Sequence, residues 1–576
     1  MEKNDLLINI VLFSPVVGLV INLLLSGQRE ERIKWGALIA SLVTLLATLV
    51  MLSGFDQTKA GLQFESLGTW FSLGNYTITY HLAVDGLSIL LVVLTAFIMP
   101  LAILFSLYYV KERVRLYYSF LLLLEFAMLG VFLAQDLFLF YVFWEISLVP
   151  MYFIVGIWGS EQRIYAAVKF FLYTMAGSIL MLLAILWMGG HFGTFNVPEI
   201  KAAITAAAAT PVGAFPSATV ELLLFLGFFI AFAIKVPVWP LHSWLPDAHV
   251  QAPTAGSVIL AGVLLKLGTY GMVRFNIGLF PQLSVQMAPI IGVLAVIGII
   301  YGAWVSYAQT DVKKLVAYSS ISHLGFVVLG IFALNAAGIS GATLQMVNHG
   351  ISTGGLFLLV GMLYERRHTK AIDAFGGVWK VMPVFSGLAL VINLSSMGLP
   401  GLNGFVGEFT ILLGAFGSPV LGFWFAFFAT FGVIMAAVYL LYMWNKVFMG
   451  EYKVPGAETA MVVASGDGGA ALQLSAQGGG GEPTPEVHAE HAEHGDHGHG
   501  GHGGHDAHAG HEDHGHGNPY PPMMWNEATA LVIVVIAALV IGLFPRPFFG
   551  YMDASVAATA AEVQRYLPAT TPAPAE

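Results

Sequence analysis

The sequence predicts an all-α polytopic membrane protein of about fourteen transmembrane helices, and three observations carry that reading. Of 576 residues, 57% are hydrophobic and only 10% charged, with a mean hydropathy of +0.77; soluble globular chains carry roughly 25% charged residues. Apolar stretches of about 20 residues, the length that crosses a hydrocarbon core, recur along the chain. Two of them, five spans apart, are interrupted by proline and glycine. The net charge of −10 points to no partner, and no nucleic acid is expected. There is no cysteine, which excludes disulfides and cysteine-ligated iron–sulfur clusters.

On the length criterion, spans fall near 6–26, 33–53, 83–110, 117–134, 137–156, 167–189 and 221–240. Seven more fall near 254–275, 286–307, 314–334, 341–364, 382–415, 421–449 and 524–545. The first carries charges on its leading side, MEKNDLLINIVLFSP, and no small-residue cleavage site follows. It therefore reads as a transmembrane helix and not as a removed signal peptide. The 382–415 stretch is too long for one unbroken span. Lysine and arginine accumulate in cytoplasmic loops. Loops after odd-numbered spans hold 16 of the 24 basic residues, among them Arg29, Lys111, Lys313, Lys314 and Arg366. Loops after even-numbered spans and the termini hold 6: Lys3, Lys59, Lys201, Arg274, Arg546 and Arg565. Both termini are thus expected on the non-cytoplasmic side of an energy-coupling membrane, the bacterial cytoplasmic membrane being the natural candidate.

Two lysines remain within spans. A charge at the bilayer centre costs at least about 2.5–3.5 kcal/mol, so Lys235 in the seventh span and Lys266 in the eighth need a reason. Snorkelling to the interface is the plain alternative. It fits Lys235, near the end of its apolar run, better than Lys266, which has apolar turns on both sides. Acids and histidines join them at membrane depth: Glu125, Glu145 and Glu408, with His323 and His349. One intramembrane polar residue can simply bond a neighbouring helix. Seven ionisable groups in one chain read as a proton relay, with Asp136, His242 and His249 as supporting residues.

The stretch FAIKVPVWPLHSWLPDAH then makes sense. Pro237 has no N–H, so the carbonyl of Ala233 is expected to lose its helical partner and the helix to open around Lys235. The second interruption, SSMGLPGLNGF, does the same near Pro400 ahead of Glu408. Unwound backbone at membrane depth is tolerated where protein buries it or it lines a wet cavity. Matching breaks in two halves point to a transport pathway and two copies of a five-helix unit.

KVPVWPLHSWLPDAHVQAPTAGSVILAGVLLKLGTYG, FLFYVFWEISLVPMY, AYSSISHLGF, NHGISTGGLFLLVGMLYER and SSMGLPGLNGFVGEF, in that family arrangement across about 120–445, resemble the antiporter-like, proton-translocating subunits of respiratory complex I, the NADH:quinone oxidoreductase. The resemblance implies two inverted five-helix repeats, here 117–275 and 286–449, behind N-terminal helices in 1–116. It also implies a hydrophilic axis. Along it Glu145 pairs with Lys235, Lys266 connects, His323 and His349 continue, and Glu408 releases the proton. Other branches of the family carry lysine at that last position. The 31 residues 546–576 would reach roughly 46 Å if helical, too short for the long lateral helix of the distal branch. FMN, iron–sulfur clusters and quinone belong, on this resemblance, to partner subunits; no cofactor is expected in this chain. Partners are other antiporter-like subunits, the peripheral redox arm indirectly, lipid, protons and internal water.

One segment departs from the resemblance. Residues 455–522 hold eleven of the 18 histidines, beginning with His488, His491, His494, His497 and His499, amid glycine runs that cannot bury a core. A cytoplasmic loop over 450–523, ahead of a C-terminal unit 524–576, is expected. Histidine-rich tracts bind metals weakly, and a linker with incidental affinity is the plainer reading.

Three other functions compete. A multisubunit sodium/proton antiporter or membrane-bound hydrogenase shares the pathway chemistry, and co-purifying subunits decide between them. A metal transporter needs ligands one turn apart within a span, whereas His242 and His249 are seven residues apart across prolines. Axial haem ligation by His323 and His349 is open to a visible spectrum. No phosphate-binding loop or dinucleotide fingerprint is present, so the driving energy is expected from other subunits.

Overall fold

The computed structural model describes residues 3–25, 30–74, 76–207, 213–453 and 520–567. The expectations placed on the histidine-rich segment, including His488 to His499, fall on 454–519 and lie outside the described residues.

Helices α1 (Lys3–Leu24) and α2 (Glu30–Ser53) open the chain. They cross so closely at Gly18 that a methyl there would collide with the Cβ of Ala40. An antiparallel hairpin follows, β1 (Gln63–Leu73) and β2 (Tyr76–Val84), with Ser66 opposite Leu82 and Thr69 opposite Thr79. A count of apolar spans does not see it. Its signal is the β-branched and aromatic run YTITYHLAV, preceded by Gly74 at φ +61° in the turn.

Then come α3 (Ile89–Tyr109), α4 (Val114–Leu133), α5 (Leu137–Trp158), α6 (Arg163–Phe192), the short α7 (Val197–Ala207) and α8 (Ala218–Lys235). After a break and the two-turn α9 (Trp244–Gln251) comes α10 (Thr254–Ile277). The second half holds α11 (Pro281–Tyr307), α12 (Val312–Phe332), α13 (Ala336–Arg367), α14 (Pro383–Ser396), α15 (Asn403–Phe416) and α16 (Phe423–Val447). The chain closes with α17 (Trp525–Leu543) and α18 (Arg546–Gln564).

Among the described residues, thirteen helices are long and apolar enough to cross a membrane. The remaining predicted span, 382–415, is the split pair α14 and α15. α18 was not predicted as a helix. It folds back on its own chain, where Ser555 accepts from the Gly86 N–H at 3.0 Å and Lys201 pairs with Glu562 at 2.5 Å.

Burial sorts the helices by role. The apolar stretches of α10 and α13 are wholly buried and those of α12 and α3 nearly so, whereas α1, α2 and α16 are only one-third buried. Polar residues at membrane depth need protein neighbours to satisfy them. The most enclosed helices are those that carry Lys266, His323 and His349.

Arg274, counted above as a loop residue, lies within α10. Its guanidinium reaches Asp85 at 2.7 Å and the Tyr270 hydroxyl at 3.1 Å. Lys313, also counted in a loop, sits in the first turn of α12, buried, with Nζ 2.5 Å from the Ala252 carbonyl. Both lie at the ends of apolar stretches, where the helices hold them inside the fold: Arg274 in an ion pair and Lys313 on a backbone carbonyl.

Candidate functional site

The first break follows the proline geometry with one correction. α8 ends at Lys235, but the carbonyl of Ala233 is not free: it accepts from the Val238 N–H at 2.7 Å. The next carbonyl, Ile234, accepts from the Trp244 indole N–H at 2.9 Å. Pro237 removes one donor, and the chain turns tightly enough to bring in two others. α10 packs beside the break at Gly268, where a Cβ would meet the Phe232 carbonyl at 2.8 Å and the Lys235 Cβ at 3.2 Å.

Lys235 is 1% exposed, and its ammonium has no hydrogen-bond partner. Glu145, expected to pair with it, is half-buried on α5, with Oε1 likewise unpartnered. No ion pair closes between them. The ammonium lies instead 5.1 Å from the Trp144 ring centroid and 5.8 Å from that of Phe170.

Lys266 sits between two widened π-helical turns of α10, Leu260–Leu264 and Met272–Ile277. Such turns displace carbonyls from the regular ladder and recur at functional sites. Here the Ala261 carbonyl, five residues earlier, accepts from the Lys266 amine, whose Nζ also lies 2.7 Å from His349 Nδ1. His349 Nε2 has no partner of its own. Its ring centroid lies 5.9 Å from that of His323.

His323 Nδ1 lies 2.7 Å from Glu408 Oε1, and its Nε2 lies 3.0 Å from the Tyr439 hydroxyl. Gln345 donates to the same Glu408 oxygen at 3.1 Å, and Oε2 has no partner. Either a neutral ring with Tyr439 donating or an imidazolium with Tyr439 accepting fits this geometry. A side chain that bonds in both protonation states can pass a proton without losing its partners.

The second break is held to this line. Gly398 and Gly401 take φ of +76° and +93° around Pro400, a conformation that costs glycine little. Asn348 and Asn403 exchange bonds: Asn348 Nδ2 donates to the Asn403 carbonyl at 2.7 Å, and Asn403 Nδ2 to the Asn348 carbonyl at 3.2 Å. The Ser395 hydroxyl bonds the Asn403 side chain. α15 thus starts where Glu408 can meet His323.

The supporting residues part company. His249 is fully buried, stacks on Phe357 at 4.4 Å and leaves both ring nitrogens unpartnered. His242 Nε2 approaches the Tyr301 hydroxyl at 3.3 Å. Glu125 is fully buried on α4 with neither oxygen bonded, and the line from Lys266 to Glu408 does not include it. Asp136 ties two elements together. Its Oδ1 caps α5 through the Phe138 and Leu139 N–H groups at 2.9 and 3.1 Å, and its Oδ2 holds Thr79 of β2. Burial pushes its carboxyl above the ordinary value, against the pull of these donors.

Sequence reasoning missed Tyr439, Gln345, Trp144, Phe170 and Trp244. Aromatics in apolar spans look like packing until their neighbours are known. It also missed a cavity of about 400 Å³ at the lysine-rich loop end, lined by Lys313, Lys370, Glu365 and Thr254 among others.

Comparison with known proteins agrees with this architecture. The family model described as NADH:quinone oxidoreductase/Mrp antiporter, TM, matches residues 134–435. NADH-quinone oxidoreductase subunit M of Rhodobacter capsulatus is 46% identical over 451 residues, 77% of this chain and 86% of that protein. Among solved structures, a chain of respiratory complex I from Thermus thermophilus with bound NADH aligns with a TM-score of 0.74 at 28% identity, covering 97% of this chain and 99% of that one. A chain of the archaeal membrane-bound sulfane sulfur reductase aligns at a TM-score of 0.67 and 26% identity, over 77% and 70%. With its interrupted helices and its family match over more than half its length, the chain belongs to the NADH:quinone oxidoreductase/Mrp antiporter transmembrane family.

Proposed function

We propose that this chain is the M-type antiporter-like subunit of an NADH:quinone oxidoreductase, moving protons across the membrane through buried groups while other subunits carry out the redox chemistry. The observation that carries the reading is the line from Lys266 through His349 and His323 to Glu408: two direct contacts of 2.7 Å separated by one interval of 5.9 Å between rings.

In this mechanism a proton enters on Lys235, whose charge Glu145 favours when the two approach. Desolvation disfavours a charged amine and a nearby carboxylate favours it, so separating the pair weakens the lysine's hold on the proton, which passes toward Lys266 once a path opens. The ammonium of Lys266 donates to His349 Nδ1. A water bridging the two imidazoles, or rotation of His349 Nε2 toward His323, carries the proton onward, and Glu408 receives it for release. Charge carried outward against a potential of 100 mV costs about 2.3 kcal/mol, so energy has to come from outside the chain. FMN, iron–sulfur clusters and quinone are assigned to the partner subunits, and coupling to the neighbouring antiporter-like subunits.

The two halves, α4–α10 and α11–α16, act as inverted repeats, and both termini face the non-cytoplasmic side of a bacterial cytoplasmic membrane. The fold likeness to a sulfane sulfur reductase chain keeps a second reading in view, a related subunit of another ion-translocating complex. Identification of the subunits that co-purify separates the two. The test of the relay itself is Lys235→Ala in the assembled complex: electron transfer should persist with redox-linked pumping lost. Normal pumping in that variant overturns the assignment.

A further inference from the structure

We propose that Trp144 and Phe170 form a holding site for the Lys235 ammonium, occupied whenever the lysine is not paired with Glu145, which makes Trp144 a positioning residue for proton transfer. The inference rests on reading Lys235 as a proton carrier.

The lysine is buried without a hydrogen-bond acceptor, a placement that costs a cation dearly in an apolar interior. What surrounds it is aromatic: the Trp144 centroid at 5.1 Å and the Phe170 centroid at 5.8 Å. Both distances fall within the roughly 6 Å over which a ring face attracts a cation, and tryptophan binds best.

Both walls are fixed from behind. The Trp144 indole N–H donates to Ser178 Oγ at 2.9 Å, which sets the plane of the ring. Phe170 leans on Trp244 at 5.3 Å, and Trp244 is the residue whose N–H caps the Ile234 carbonyl at the helix break. The break that ends α8 at Lys235 therefore also supports one wall of the site.

Trp144 and Glu145 are consecutive on α5, about 100° apart around the helix axis. The π face and the carboxylate are thus neighbouring stations on one helix. A ring face stabilises the charged amine but takes no proton from it. The lysine leaving Glu145 stays charged until a path toward Lys266 opens. The titratable groups on the surrounding elements include Glu145 on α5, with the Tyr141 phenol bonded to it from the same helix, Lys169 on α6, and Lys266 and Arg274 on α10. Lys169 is engaged by Asp247 at 2.6 Å, Lys266 by His349 and Arg274 by Asp85 at 2.7 Å; Glu145 Oε1 is left without a partner.

The experiment uses the assembled complex in membrane vesicles and measures protons pumped per electron against pH for Trp144→Phe and Trp144→Leu. Phenylalanine keeps a weaker π face and leucine keeps only bulk. The alkaline limb of pumping should move to lower pH in the order Leu beyond Phe beyond wild type, by about one pH unit for Leu. A profile unchanged in both variants, or shifted equally in both, overturns the holding site. Should Trp144→Leu fail to assemble, Phe170→Leu weakens the same site from α6 and is read by the same two outcomes. Lys235→Ala separates the layers. If that variant stops pumping while the Trp144 series leaves the profile in place, the holding site fails and the relay stands. Normal pumping by Lys235→Ala removes both.

Discussion

Nζ of Lys266 lies 2.7 Å from Nδ1 of His349, across the contact between two helices whose apolar stretches are wholly buried. One hydrogen bond joins them, and which nitrogen donates depends on which of the two holds the proton. Neither residue is accompanied by a carboxylate in direct contact. An uncompensated cation in a dry interior is expensive.

His349→Leu removes the acceptor and leaves the ammonium bonded only to the Ala261 carbonyl. Hydrogen bonds to charged groups are worth about 1.5–3 kcal/mol, so redox-linked pumping should fall at least ~10-fold. His349→Gln restores an acceptor without a titratable ring. It should assemble better than Leu but pump no better. Pumping per electron in vesicles checks both, and recovery with Gln would mean that the ring acts only as a hydrogen-bond partner.

Glu408 and Tyr439 bracket His323, and their variants should differ in kind. Glu408→Gln keeps a side chain that bonds His323 but cannot carry a proton, so pumping should stop while assembly is retained. Tyr439→Phe removes one neutral hydrogen bond of about 1 kcal/mol, a loss of roughly 5-fold at most. Equal effects of the two substitutions would argue against the carboxylate as the proton-releasing group.

Asp136 should behave as a structural residue. Asp136→Ala removes the α5 cap and the hairpin anchor together, for a loss of about 1–2 kcal/mol. Thermal stability or yield of the complex should drop while the complex that does assemble pumps normally per electron. Asp136→Asn retains an acceptor for the cap and should recover most of the stability. Loss of pumping at full yield would instead return this residue to the relay.

Arg366 grips Glu527 with both terminal nitrogens, at 2.8 and 2.6 Å, and Tyr109 donates to the same carboxylate at 2.5 Å. This fastens α17 to α13 and α3. Breaking a buried pair by removing one partner costs about 3–5 kcal/mol, so Arg366→Ala should lower the yield of assembled complex sharply. Arg366→Lys keeps the charge but loses the two-pronged grip, and should fall between Ala and wild type by the same assay.

The sequence by itself determined the membrane-spanning helices, the two interruptions at Pro237 and Pro400, and the ionisable residues at membrane depth. These depend on local physics: the hydropathy of about twenty consecutive residues, the missing proline N–H, and the cost of a charge in hydrocarbon. Even there the local rule stopped short at Ala233, whose carbonyl finds Val238, because a turn can supply a donor that a helix has lost. Tertiary structure decided which groups meet. His323 finds Glu408 across 85 positions of sequence, and Lys266 finds His349 across 83. Lys235 rests among aromatic rings instead of on Glu145, and Asp136 turns to the hairpin. Partner choice among helices depends on which faces pack, and packing is set by close approaches such as that at Gly268, which no single stretch of chain contains.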